Sequence, residues 1–209
     1  MKKHFYPIFA LFLVGVMFSC QSPKSNSTKE EAAGIDSMAP NPFITHMYTA
    51  DPSAHVWADG RLYVYASHDI DPPRGCDLMD RFHVFSTDDM VNWTDHGEIL
   101  NSSQVPWGRK EGGFMWAPDC AYKDGTYYFY FPHPSDTKWN DSWKIGVATS
   151  KEPAANFTVQ GYIEGMDPLI DPCVFVDDDG QAYIYNGGGQ ICKGGKLKDS
   201  IFHYIYESM

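Results

Sequence analysis

The chain has 209 residues, of which 13 are Phe, 13 Tyr and 6 Trp, so it can bury a core and is not globally disordered. Its 18 Gly and 14 Pro break long helices and favour many short elements joined by turns. A formal charge of −11 excludes a bulk nucleic-acid binder, which needs a basic face, and leaves a neutral partner such as a sugar open.

In chain order, Lys2, Lys3 and His4 precede an apolar run from Phe5 to Phe18, and Ser19-Cys20 follows. A basic start, a short apolar core and a small residue before a cut make a secretory signal over 1–19. Met17-Phe18-Ser19-Cys20 resembles a bacterial lipoprotein box, which implies that Cys20 is lipidated and becomes the mature N-terminus. Residues 20–40 are rich in Ser, Lys, Glu and Ala and read as a tether. The only expected link to a membrane is this lipid anchor, at the bacterial cell envelope, either periplasmic or facing outward; plain secretion is the alternative. Cleavage before Cys20 removes Lys2 and Lys3 and makes the mature charge −13. Cys76, Cys120, Cys173 and Cys192 show no CxxC spacing, so a zinc site is not expected, while disulfides and buried thiols both remain open.

From residue 41 to 209 one pattern occurs three times: DPSAHVWADGRLYVYA at 51–66, APDCAYKDGTYYFYF at 117–131 and DPCVFVDDDGQAYIYN at 171–186. Each has an Asp beside a Pro, an apolar strand, an Asp-Gly turn and an aromatic, alternating strand. Asp-Gly between two β-rich runs signals a hairpin. The turn glycines Gly60, Gly125 and Gly180 are spaced 65 and then 55 residues apart. Phe82–Ser86 and Lys144–Ser150 supply a third strand, and Trp93-Thr94 and Phe157–Val159 begin a fourth. No helical period follows residue 40. Four strands per repeat at this period predict an all-β fold of propeller blades, with a sandwich as the alternative.

Three motifs together resemble glycoside hydrolase family 43, five-bladed propellers that cut arabinose- and xylose-containing plant polysaccharides. They are Tyr48-Thr49-Ala50-Asp51-Pro52-Ser53 after Asn41-Pro42, Trp116-Ala117-Pro118-Asp119, and Ile170-Asp171-Pro172 followed by Phe175–Gly180. The resemblance implies an inverting glycosidase of the α-L-arabinofuranosidase or β-xylosidase type, with an oligo- or polysaccharide as its partner. Inversion needs a base and an acid roughly 6.5–9.5 Å apart, with a water between base and sugar. By resemblance, Asp51 is the general base. Asp171 raises the pKa of the general acid and orients it, because a like charge disfavours ionisation of a second carboxyl. Trp116, Asp119 and His68 are expected substrate contacts. No cofactor is expected, although a structural calcium in the full propeller is compatible; Asp177-Asp178-Asp179 reads as a solvated turn, since EF-hand spacing is absent.

The family's acid is a Glu in the blade after the third. Two and a half to three blades are expected here, ending in a divergent tail at about 200–209, so the sequence reads as a C-terminally truncated member, inactive alone. A non-catalytic carbohydrate-binding propeller at the cell surface is the competing function.

Overall fold

The computed structural model describes residues 41–71, 75–138, 142–165 and 170–187, together with the backbone of the strands at 193–197 and 204–205. The expected signal, tether and Cys20, and also Cys192, lie outside the described residues. Three four-stranded antiparallel sheets follow one another along the chain. The first contains β1 (Tyr48–Val56), β2 (Leu62–Asp69), β3 (Arg81–Thr87) and β4 (Trp93–Asn101). The second contains β5 (Asp119–Lys123), β6 (Thr126–Pro134), β7 (Trp143–Ser150) and β8 (Thr158–Tyr162). The third contains β9 (Ile170–Val176), β10 (Ala182–Gly187), β11 (Lys193–Leu197) and β12 (Tyr204–Ile205). Each sheet is a simple meander in which sequence neighbours pair. The expected divergent tail contributes β12, which closes the third sheet against β11. The helices among the described residues are short: α1 (Gly75–Leu78) and a 3-10 turn at Ser102–Gln104.

The Asp-Gly turns are those the sequence predicts, in two lengths. Asp124 and Gly125 make a two-residue loop between Lys123 and Thr126, with φ of 50° and 74°. Both positive values fit a type I′ turn, which matches the twist of the flanking strands. The first and third hairpins need five residues, from Val56 to Leu62 and from Val176 to Ala182. There Gly60 and Gly180 take φ near 80°, where a side chain would be strained.

Alternation along the middle strands gives each sheet two apolar faces. Tyr63, Tyr65, Phe82 and Val84 of the first sheet pack against Cys120, Phe129, Phe131 and Ala148 of the second. Phe82 and Phe129 meet edge to face at 5.0 Å. The other face of the second sheet, with Tyr130, Ile145 and Val147, packs on Val174, Ala182 and Ile184 of the third. Both faces of the middle sheet are thus buried, as stacked blades require. The far face of the third sheet carries Phe175 and Tyr185, which are 53% and 45% exposed.

Candidate active site

The innermost strands β1, β5 and β9 begin with the three Pro motifs, and β5 lies alongside both β1 and β9. Asp51 and Asp171 share an unusual backbone. Both have left-handed φ, 48° and 52°, and both precede a Pro. The β1–β2 register slips between Ala50 and Ser53, and the β9–β10 register slips at Gly187, so each Asp sits in a bulge. Asp tolerates this region better than most residues, and a bulge re-aims a side chain away from the ladder. Both residues reach the surface, although the carboxyl end of Asp171 is partly enclosed.

The Asp171 carboxyl leans over Gly187. A Cβ on that glycine would lie 2.9 Å from Asp171 Oδ2 and 3.3 Å from its Cβ, so only glycine leaves this space open. Asp171 has a pKa above the ordinary carboxylate value. Withdrawal of the carboxyl from water is the larger cause, and the nearby Asp51 carboxylate is the second. The two bulges thus bring two carboxyl groups from the first and third sheets within electrostatic reach of each other.

The other sequence-predicted residues each have protein partners of their own. His68, at the end of β2, pairs with Thr49 of β1 and bonds through Nδ1 to Asp80 at 2.7 Å. It lines a cleft of about 1000 Å³ with Thr49, Asp69, Ile70, Asp71 and Arg81. Trp116 is partly buried, and its ring is tilted against Trp143 at 4.6 Å. Its indole N–H donates to the Cys76 carbonyl at 2.7 Å, which ties the segment before β5 to α1.

Asp119 departs from the expectation that it contacts substrate. It is only 3% exposed, and both of its oxygens are occupied by protein groups. Oδ1 is bonded to His55 Nε2 at 2.7 Å, and Oδ2 accepts the Val174 N–H at 2.6 Å. The reason is visible in the repeat. Asp51 and Asp171 precede their prolines, whereas Asp119 follows Pro118 and so aligns with Ser53 and Cys173. It begins a regular strand, paired with Tyr130, instead of standing in a bulge. Two further residues matter here: His55 as the partner of Asp119 and Gly187 as the spacer beside Asp171. The offset about Pro118 marks the special place of Asp119, but no sequence signal marks Gly187.

Among the described residues, no group of three or more His, Cys, Asp or Glu is placed to hold a metal ion. Cys76, Cys120 and Cys173 are free thiols. Asp178, Asp179 and Gly180 form the β9–β10 turn, closed by the Gly180 N–H to the Asp177 carbonyl at 2.8 Å.

The family model for Glycosyl hydrolases family 43 matches residues 39–204, most of the chain and all three motif positions. The chain belongs to this family. Within family 43 it is 45% identical over 157 residues to Xylosidase/arabinosidase 43A of Humicola insolens, covering 70% of this chain and 46% of that protein. It is 40% identical to a Xylosidase/arabinosidase of Bacteroides ovatus, covering 68% and 44%. The chain thus spans about half the length of these relatives. Solved family 43 structures agree. A β-xylosidase/α-arabinofuranosidase from a compost metagenome, solved with xylotriose in a calcium-free form, superposes with a TM-score of 0.67 at 36% identity, over 78% of this chain and 58% of that one. An enzyme from Xanthomonas citri gives 0.68 at 34% identity, over 78% and 55%. The three sheets are therefore blades of a family 43 propeller, and Asp51 and Asp171 stand at the starts of the innermost strands of its first and third blades.

Proposed function

We propose that this chain carries the base side of an inverting glycosidase site for α-L-arabinofuranosyl or β-D-xylosyl linkages in plant polysaccharides or their oligosaccharides. One observation carries the reading: Asp51 and Asp171 are held in matching left-handed bulges on different blades, close enough that the charge of one acts on the other. Asp51 would take a proton from the attacking water. Asp171 would hold a neighbouring acid protonated by like-charge repulsion and would orient it. His68 and Trp116 would shape the rim of the site. Supporting the substrate class, the curated relatives include xylosidases and arabinosidases, and one neighbour was solved with xylotriose.

The donor to the leaving group belongs to a glutamate in the blade after the third, and the described residues form three blades. The 209 residues alone are accordingly expected to give no turnover of aryl α-L-arabinofuranosides or β-D-xylosides. A longer form that carries the remaining blades of a family 43 propeller is expected to hydrolyse one of them with inversion, and Asp51→Asn to lower its kcat by about 10³-fold or more. Turnover by the 209 residues, or an active extended Asp51→Asn variant, would remove the assignment. The N-terminal reading is tested separately: Cys20→Ser is expected to abolish palmitate incorporation in a bacterial host.

A further inference from the structure

The inner strand of a blade has no sheet neighbour on its axial side, so its free N–H groups need other partners. Asp119 supplies one, for Val174, at 2.6 Å. Its second oxygen bonds His55 Nε2 at 2.7 Å. A carboxylate can only accept, which places the hydrogen on Nε2. The two partners are not random positions. His55 lies four residues beyond Asp51 on β1, and Val174 lies three beyond Asp171 on β9. One carboxylate on β5 therefore grips both strands that present the candidate site carboxylates.

The grip is itself braced. The His55 ring stacks on Trp57 at 4.9 Å and 11°. Trp57 Nε1 donates to Tyr65 Oη at 3.0 Å, and that hydroxyl donates to the Pro153 carbonyl at 2.7 Å. Tyr65 is fully buried between the first two blades. Asp119 is nearly inaccessible to solvent, and each of its oxygens already has a protein partner.

We propose that Asp119 is a positioning residue: by holding β1 through His55 and β9 through the Val174 amide, it sets the separation of Asp51 from Asp171. This deepens the proposed function and rests on its reading of those two aspartates. A residue that only stabilised the fold would change the melting temperature but leave the electrostatic coupling between the two carboxyls untouched. A positioning residue changes that coupling in protein that is still folded. Asp51 is the neighbouring charge that raises the Asp171 pKa, and His55→Phe leaves every carboxylate in place, so its response reports geometry and not a lost repulsion.

The test is a carboxyl carbon NMR titration of Asp171 in the 209-residue chain, selectively labelled at aspartate and kept dilute. It compares the parent with Asp51→Asn, Asp119→Asn, Asp119→Leu and His55→Phe. Asp51→Asn is expected to move the Asp171 midpoint down, toward the ordinary aspartate range. Asp119→Leu is expected to move it down as well, because both ties are lost. Asp119→Asn keeps an acceptor for Val174 and is expected to move it less. His55→Phe keeps the stack on Trp57 and the bond to Val174, so it carries the test if Asp119→Leu does not fold. If Asp51→Asn moves the midpoint while His55→Phe and every folded Asp119 variant leave it at the parent value, Asp119 does not position the pair. If Asp51→Asn itself moves nothing, the reading of the two aspartates as one site fails, independently of Asp119.

Discussion

Asp51 and Asp171 hold a backbone conformation that costs most non-glycine residues about 1–3 kcal/mol, and such strain persists only where surrounding structure over-determines it. Here the following prolines, the bulges and the space above Gly187 do so. Gly187→Ala is expected to lower stability by ~1–2 kcal/mol, because its Cβ would meet Asp171 Oδ2 at 2.9 Å. In a double-mutant cycle read by urea unfolding, most of that cost should vanish in the Asp171→Ala background. An undiminished cost would mean that Gly187 serves its own strand and not the carboxyl. At this scale the sequence was partly legible. The Asp-Pro pairs of the first and third motifs marked both bulged carboxyls. The shift of Asp119 to the far side of Pro118 is equally visible in the sequence, and it separates an exposed carboxyl from a buried tie. Gly187 could not be read, since what it makes room for comes from β9, across the hairpin.

Among the elements, β6 and the segment that precedes β5 share a buried imidazole. His133 is fully buried, and neither ring nitrogen makes a hydrogen bond of good geometry. Its ring meets Trp107 edge to face at 5.8 Å, and a Cβ on Gly108 would lie 2.6 Å from it. Burial lowers its pKa to about 4; the Phe114 backbone partly offsets this and Arg109 adds to it. The sign follows from linkage. The unfolded chain takes up a proton near pH 6.5, and the folded chain refuses it until about pH 4. Stability from this group is therefore full above pH 6.5, falls as the pH drops, and is lost by about pH 4, a change of ~3 kcal/mol. His133→Leu is expected to flatten that part of the curve when urea midpoints are compared from pH 7 to pH 4; parallel curves would contradict this. The strand plan was legible from period-two alternation and the Asp-Gly turns. The packing of the segment before β5 on β6 was not, because its contacts join residues with no shared period.

For the molecule as a whole, stacking buries both faces of the second blade and leaves one face of the third turned outward. Phe175 and Tyr183 are cross-strand partners there, and Tyr185 faces Cys173. An apolar sheet face of this kind favours association. The 209 residues are expected to self-associate as concentration rises, and Phe175→Lys with Tyr185→Lys is expected to suppress this in light scattering. Unchanged association would point to a different surface. Three blades at a period of 55 to 65 residues occupy the span from β1 to β12, and the chain covers about half of each relative.

The first and third blades present Asp51 and Asp171 as one electrostatically coupled pair. The most direct measurement is the Asp171 carboxyl titration with and without the Asp51 charge. The parent chain is expected to give a midpoint above the ordinary aspartate value. Asp51→Asn is expected to lower it, with the withdrawal of the carboxyl from water still holding it up in part. Identical midpoints in the two proteins would contradict this coupling.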